Sequence, residues 1–267
     1  MGSWSTARAA RGGGTRVRLA GLIIAALLSS SNSPAMAGEP ASLRDFLFPS
    51  HDKPTLEKGR YAPSDGEAFI VDHLNSKDLL LRFEDSQEIW ALKPTAGPRG
   101  DVIYKTDTGE PMLRATRLGG LTLFTGERPN GAAAAYMGEG ATLRPPVIPN
   151  PSVLFQILIQ ASLRASRATQ HLVVFEAQDL TPHDLTPASS AVLADTAINT
   201  AEAFNKIAGR NGQGRPVVTR FNRVQFTTGK DVAIRINGSV VQITVVADKG
   251  YAGRPSSARI MSVLQKK

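Results

Sequence analysis

The residues best placed for catalysis lie in one short stretch, where carboxylates and an imidazole follow a candidate strand. The members are Glu176, Asp179, His183 and Asp184. Such a set can bind a cation or transfer protons in general acid–base catalysis. Asp and His beside Thr–Pro pairs are also common in turns, and we favour that structural interpretation. A secreted hydrolase with a dispersed site near residues 176–184 is therefore an alternative hypothesis for function.

A second group of residues could bind an anion, because basic side chains are concentrated at the C-terminal end of the chain. From Arg210 to Lys267 there are 11 basic and two acidic residues, a net charge of +9, whereas Gly38–Gly209 has a net charge of −5. Such an asymmetry can steer an anionic partner toward one face. The alternative is that these charges are satisfied by the acidic remainder of the chain. The predicted binding residues are Arg215, Arg220, Arg223, Lys230 and Arg235.

Several common chemistries have no counterpart in the sequence. There is no cysteine, which excludes thiol catalysis and cysteine-ligated zinc or iron–sulfur sites. The four histidines form no short metal-ligand pair, and the phosphate-binding, dinucleotide-binding and serine-hydrolase motifs are missing. We therefore expect no metal and no cofactor, and an enzyme is not the leading hypothesis. Nucleic acid is not an expected partner, because the helical and aromatic recognition signatures are missing.

The N-terminal residues, 1–37, have the pattern of a secretory signal peptide. Four arginines precede the apolar run 19–28, and Ala35–Ala37 has the small-x-small form of a cleavage site. The apolar run is shorter than the roughly 20 residues that a membrane-spanning helix needs. We therefore expect cleavage after Ala37, a periplasmic location and no transmembrane anchor in the mature chain.

The elements that would position the candidate residues fall into two parts. After an N-terminal arm, residues 38–60, short apolar runs alternate with turn residues over 61–140, as in consecutive antiparallel strands. About six strands can be counted, which predicts an N-terminal antiparallel β-meander or partly closed barrel. The runs are 69–74, 79–84, 88–93, 102–106, 112–117 and 121–125. The proline-rich residues 141–150 form a predicted linker.

The second part, residues 151–267, has the pattern of helices on a sheet. A helix is predicted from Pro151, a short strand over 171–177, and strands over 217–227, 232–236 and 240–246, before a terminal helix from Ser256. Together these elements predict an α/β layer of about three helices on an antiparallel sheet. The fold class is therefore α+β.

The helix that ends near Ala208 has the clearest pattern in the chain. Ser189 and Ser190 are its expected N-cap residues. An apolar stripe faces one way, while the opposite side carries Asp195, Asn199, Glu202 and Lys206. This arrangement predicts a helix half-buried against a sheet.

The stretch from Glu88 to Thr125, which reads EIWALKPTAGPRGDVIYKTDTGEPMLRATRLGGLTLFT, resembles an alphaproteobacterial family of exported proteins defined by a domain of unknown function. The resemblance covers mainly Phe69–Thr125. It implies an exported protein with this architecture, and it implies no activity or catalytic residues.

The leading hypothesis from the sequence is a periplasmic binding or envelope-maintenance protein. Its basic C-terminal face would meet an anionic partner, either an envelope component such as lipopolysaccharide or an acidic glycan, or an acidic protein. A further hypothesis is an inhibitor of a secreted hydrolase, which would use an exposed strand or loop of the meander.

Overall fold

The structure is a computed structural model that describes residues 56–144, 148, 150–178, 185–210 and 214–266. The predicted signal peptide and most of the predicted arm lie outside these residues. The N-terminal half of the described chain is a β-barrel, and the C-terminal half is a layer of helices on a four-stranded sheet. The predicted α+β class is therefore confirmed.

The barrel consists of eight antiparallel strands, each hydrogen-bonded to the next along the chain. They are β1 (Gly59–Pro63), β2 (Phe69–His73), β3 (Leu79–Phe83), β4 (Trp90–Ala96), β5 (Val102–Lys105), β6 (Pro111–Ala115), β7 (Leu121–Thr125) and β8 (Arg128–Gly138). β8 also pairs with β1, where Tyr61 lies opposite Tyr136, so the sheet closes on itself. The predicted antiparallel meander is confirmed, and its closure is complete rather than partial.

The two strands that close the barrel are the two that the sequence pattern missed. β8 contains Gly131 and a run of four alanines, residue types that are depleted in strands. A Cβ atom at Gly59 of β1 would lie 2.2 Å from the Tyr136 ring and 2.7 Å from the Gly138 carbonyl oxygen. Glycine within a strand marks this kind of close backbone approach, so the seam depends on small residues.

Side chains fill the barrel interior, as they do in small eight-stranded barrels. Successive residues of a strand point to opposite sides of the sheet, and alternate positions are apolar here. The inward residues include Phe69, Val71, Leu79, Leu81, Leu92, Leu113 and Leu123. On the outside, Ile70, Leu80 and Ile89 form a separate buried cluster with Leu143 and Tyr251. This outer cluster joins the barrel to the C-terminal half.

The C-terminal half contains four helices, four strands and a 3₁₀ segment within the described residues. They are α1 (Pro151–Thr169), β9 (Val174–Ala177), α2 (Pro187–Ala208), α3 (Arg215–Thr219), β10 (Arg223–Thr228), β11 (Ala233–Asn237), β12 (Val240–Val245), the 3₁₀ segment Ala247–Gly253 and α4 (Ser257–Leu264). Among the residues that the structure describes, no helix combines the length and the apolar character needed to cross a membrane.

The prediction of an antiparallel sheet in this half is wrong. The strand order is β11–β12–β10–β9, and β10 runs parallel to both β9 and β12. β9 and β10 are joined by a crossover that contains α2 and α3, as a parallel pair requires. Only the β11–β12 hairpin is antiparallel.

The predicted strand over 217–227 is also partly wrong. Its first residues belong to α3, which has Pro216 in its first turn, a position that proline favours. Val218 and Phe221 are both buried, which is a helical rather than an alternating spacing. The strand itself begins at Arg223.

The helix α2 begins earlier than predicted and is buried on more of its surface. Thr186 is its N-cap, because Thr186 Oγ1 accepts a hydrogen bond from Ser189 N at 3.1 Å. Ser189 and Ser190 are buried inside the first turn. The apolar stripe is confirmed, but Asp195 and Asn199 on the opposite side are buried too. The predicted polar face is therefore wrong at Asp195 and Asn199, whereas Glu202 is partly exposed and Lys206 is exposed, as predicted.

Candidate functional site

The four-stranded sheet has one packed face and one open face. Phe175, Phe226 and Ile243 are buried in the core with the helices, and because side chains alternate along a strand, their neighbours point to the other side. The residues of this outer sheet face are Val174, Glu176, Arg223, Gln225, Thr227, Ala233, Arg235, Asn237, Val240, Gln242 and Thr244. Each of them is exposed or half-exposed.

A row of polar side chains crosses the outer sheet face. The strand register aligns Arg235, Gln242, Gln225 and Glu176. Gln225 Nε2 donates to Glu176 Oε1 at 2.9 Å, and Gln242 Nε2 donates to Gln225 Oε1 at 3.2 Å. Asn237 Nδ2 donates to Gln242 Oε1 at 3.0 Å. The amide groups are thus held in a fixed order, with an arginine at one end and a carboxylate at the other.

All five basic residues predicted to bind an anion are exposed, but the structure brings only two of them onto the outer sheet face, Arg223 and Arg235. Arg223 Nη1 lies 3.7 Å from Glu176 Oε1, and the two side chains are 50% and 37% exposed. An ion pair this exposed is worth little. Both guanidinium groups can therefore contact a partner in solution.

The other three predicted binding residues lie elsewhere. Arg215 of α3 donates to Gln170 Oε1 at 3.0 Å. Arg220 donates to the Leu264 and Lys266 carbonyl oxygens at 2.7 and 2.9 Å, where it satisfies the end of α4, as basic side chains do at helix C-termini. Lys230 lies in the loop between β10 and β11. The five predicted residues are close together in the sequence but not on one surface, so the basic face is smaller than the sequence predicted.

Of the candidate catalytic residues, only Glu176 falls on the part of the chain that the structure describes. It lies on the outer sheet face and accepts the hydrogen bond from Gln225. Asp179, His183 and Asp184 lie outside the described residues, so the hydrolase hypothesis stays a prediction. Within the described ranges, no group of three His, Asp or Glu side chains is placed to hold a metal ion.

A buried polar network connects the barrel to the C-terminal half, and no pattern in the sequence indicates it. Arg254 is only 5% exposed. Its Nη2 donates to the Ile89 carbonyl oxygen at 2.5 Å, and its Nε contacts the Asp195 carboxylate of α2. Glu88, just before β4, accepts hydrogen bonds from Ser257 N at 2.8 Å and Ser257 Oγ at 2.6 Å.

The two buried carboxyl groups are held in an apolar environment and offset by basic neighbours. Burial raises the pKa of Glu88, and the hydrogen bonds from Ser257 together with the charge of Lys206 oppose that rise. Burial likewise raises the pKa of Asp195, and the Arg254 guanidinium opposes it. Because each carboxylate is engaged by a neighbour in the protein, we assign this network a structural role.

Comparison with known proteins identifies a family and finds no match to an individual protein. A family model described as a domain of unknown function, DUF4908, matches residues 42–264. Neither the curated proteins nor the solved structures contain a match to this chain.

Proposed function

The chain belongs to the DUF4908 family, and we propose that it is an exported, periplasmic protein of an alphaproteobacterium that binds the anionic glycan part of an envelope component. The proposal locates binding on the outer sheet face. It is carried by one observation, the in-register row of Arg235, Gln242, Gln225 and Glu176 on a sheet face whose described side chains are all exposed or partly exposed.

The chemistry of this face suits an acidic glycan. Arginine presents a planar fork of donors that matches carboxylate and phosphate groups, and the face carries two arginines, Arg235 on the edge strand β11 and Arg223 on the inner strand β10. Beside them, the side-chain amides of Gln225 and Gln242 offer both donors and acceptors, which the hydroxyl groups of a sugar require. The glutamines are already ordered by their mutual hydrogen bonds, so little conformational entropy is lost on binding.

An acidic protein fits the same face less well. Energetically important protein contacts are enriched in Trp, Tyr and Arg, and of these the outer sheet face carries only Arg. The outer sheet face carries valine, threonine and alanine between its polar residues, and none of its members is aromatic.

The export part of the proposal is supported by the basic, apolar and small-x-small pattern of residues 1–37.

The test is the binding of the purified protein to immobilised lipopolysaccharide, with a soluble acidic polysaccharide as competitor. Arg223→Glu combined with Arg235→Glu should weaken binding at least about tenfold, because hydrogen bonds to charged groups contribute about 1.5–3 kcal/mol each. Arg117→Glu is the matched control, since Arg117 is an exposed arginine on the barrel. This control should bind like the unmodified protein.

Three results would overturn the proposal. The double charge reversal could leave binding unchanged, or Arg117→Glu could weaken it equally, which would indicate a general charge effect. Competition by an acidic protein but not by the polysaccharide would assign the face to a protein partner instead.

A further inference from the structure

A cleft of about 890 Å³ lies between the outer wall of the barrel and the C-terminal segment that follows β12. Strands β4 and β5 form one side, and the 3₁₀ segment with the first residues of α4 forms the other. Small-molecule sites have volumes of about 300–1,000 Å³, so the cleft is large enough for a metabolite. It lies on different elements from the outer sheet face.

Two lysines on the barrel side of the cleft lie opposite each other on neighbouring strands. Lys93 of β4 and Lys105 of β5 are direct partners across the strand pair, and both line the cleft. Like charges in this position destabilise a sheet. The lysine ion pairs within the described residues involve Lys58 and Lys206, so neither cleft lysine has a carboxylate within 4.0 Å there.

The remaining walls add donors. Lys249 lines the cleft from the 3₁₀ segment, next to Tyr251. Tyr251 is 3% exposed, and its hydroxyl group has no hydrogen-bond partner among the described residues. A buried hydroxyl normally has such a partner, which a ligand oxygen or a water molecule would supply.

Carboxylates also line the cleft, but the structure argues against a cation site. Asp107 accepts hydrogen bonds from Ser256 N at 2.9 Å and Ser256 Oγ at 2.5 Å. Asp78 Oδ2 accepts a hydrogen bond from Asn75 Nδ2 at 2.9 Å. The other two are Asp231 and Asp248, both exposed, and no three acidic groups of the described chain are gathered for a metal ion. The two lysines lie opposite each other on neighbouring strands, whereas the four carboxylates are spread around the cleft.

We propose that the cleft binds the phosphate group of a small soluble phosphomonoester, held by Lys93 and Lys105. Two neighbouring ammonium groups match the double negative charge of a phosphomonoester near pH 7, and each can donate up to three hydrogen bonds. The bound anion would offset the repulsion between the two lysines. This site is independent of the glycan-binding face, and it requires neither export nor an envelope partner.

The test is thermal unfolding of the whole protein with inorganic phosphate as the probe, compared with chloride at equal ionic strength. At phosphate concentrations 100 times the Kd, we expect the Tm to rise by about 5–11 °C. Lys93→Gln, Lys105→Gln and the double variant should lose this rise. Without phosphate, the double variant should be at least as stable as the unmodified protein, because the repulsion is gone. Lys77→Gln is the control, since Lys77 is an exposed lysine that does not line the cleft.

Several outcomes would overturn this inference. They are a phosphate effect no larger than that of chloride, a double variant that keeps the full response, and a Lys77→Gln variant that loses it. A parallel arm compares glycerol phosphate with vesicles that contain phosphatidic acid. Binding to the vesicles alone would replace the soluble ligand by a lipid headgroup.

Discussion

Replacing Arg254 by leucine tests whether the buried network holds the two halves of the molecule together. The substitution removes the hydrogen bond to the Ile89 carbonyl oxygen and leaves the Asp195 carboxylate, 8% exposed, without its cationic partner. Removing one partner of a buried ion pair typically costs about 3–5 kcal/mol. For a domain of this size, each kcal/mol shifts the Tm by about 2–4 °C, so we expect Arg254→Leu to lower the Tm by about 6–20 °C.

The pH dependence of the same variant separates a lost charge partner from lost packing. Without the guanidinium, burial alone acts on Asp195 and raises its pKa further than in the unmodified protein. The folded state then holds the proton more tightly than the unfolded chain, whose Asp pKa is about 3.9. Stability is therefore lost as the pH rises through the folded pKa. The difference in unfolding free energy between the unmodified protein and Arg254→Leu should widen from pH 4 to pH 7.

The assay is urea denaturation followed by tryptophan fluorescence at both pH values. Combining Asp195→Asn with Arg254→Leu should restore part of the lost stability, because the uncompensated charge is removed. A loss below about 1 kcal/mol in Arg254→Leu, the size of an ordinary substitution, would refute the structural role that we assign to the network. A pH-independent difference, or a double variant no more stable than the single one, would refute the electrostatic explanation.

Two further predictions concern the same network and the barrel seam. Because burial raises the pKa of Glu88, its contribution to stability falls as the pH rises above the unfolded Glu pKa of about 4.3. Glu88→Gln should therefore make the urea midpoint depend less on pH between pH 4 and pH 8. An unchanged pH dependence of the midpoint would contradict this. Gly59→Ala should cost about 1–3 kcal/mol in urea denaturation, because its Cβ would overlap the Tyr136 ring and the Gly138 carbonyl oxygen. Gly126→Ala, whose Cβ would have open space around it, should change stability by less than about 0.5 kcal/mol, and equal losses in the two variants would disprove the seam explanation.

The sequence patterns predicted those parts of the fold in which residues pair with others nearby in the chain. Six of the eight barrel strands are short apolar runs between turn residues, and each pairs with its neighbour along the chain. The Asn237–Gly238 turn of the β11–β12 hairpin is equally local. In contrast, Gly59 of β1 lies close to Tyr136 and Gly138 of β8, and this requirement for a small residue is visible only once the barrel is closed. The parallel pairing of β10 with β12 likewise depends on where the β11–β12 hairpin is inserted in the sheet.

For the candidate sites too, local properties were predicted and properties that depend on distant parts of the chain were not. Exposure of the five predicted binding residues followed from their charge, but their distribution over separate surfaces depends on α3, part of which was predicted to form a strand. Asp195 and Asn199 read as solvent-facing because polar residues on one side of a helix usually are. Asp195 contacts the Arg254 guanidinium and Asn199 Nδ2 donates to the Pro255 carbonyl oxygen, and both partners lie more than 50 residues later in the chain. The sequence contains no local signal for such a contact.

The attachment of α4 to the barrel constrains the order in which the molecule folds. Ser256 and Ser257, where this helix begins, are hydrogen-bonded to Asp107 and Glu88, 149 and 169 residues earlier in the chain. The barrel is built from hairpins between adjacent strands, whose contacts are close together in the sequence, whereas contacts of such long sequence separation are slow to form. The final helix therefore completes the structure after the barrel, and until it arrives the carboxylates of Asp107 and Glu88 remain accessible to water.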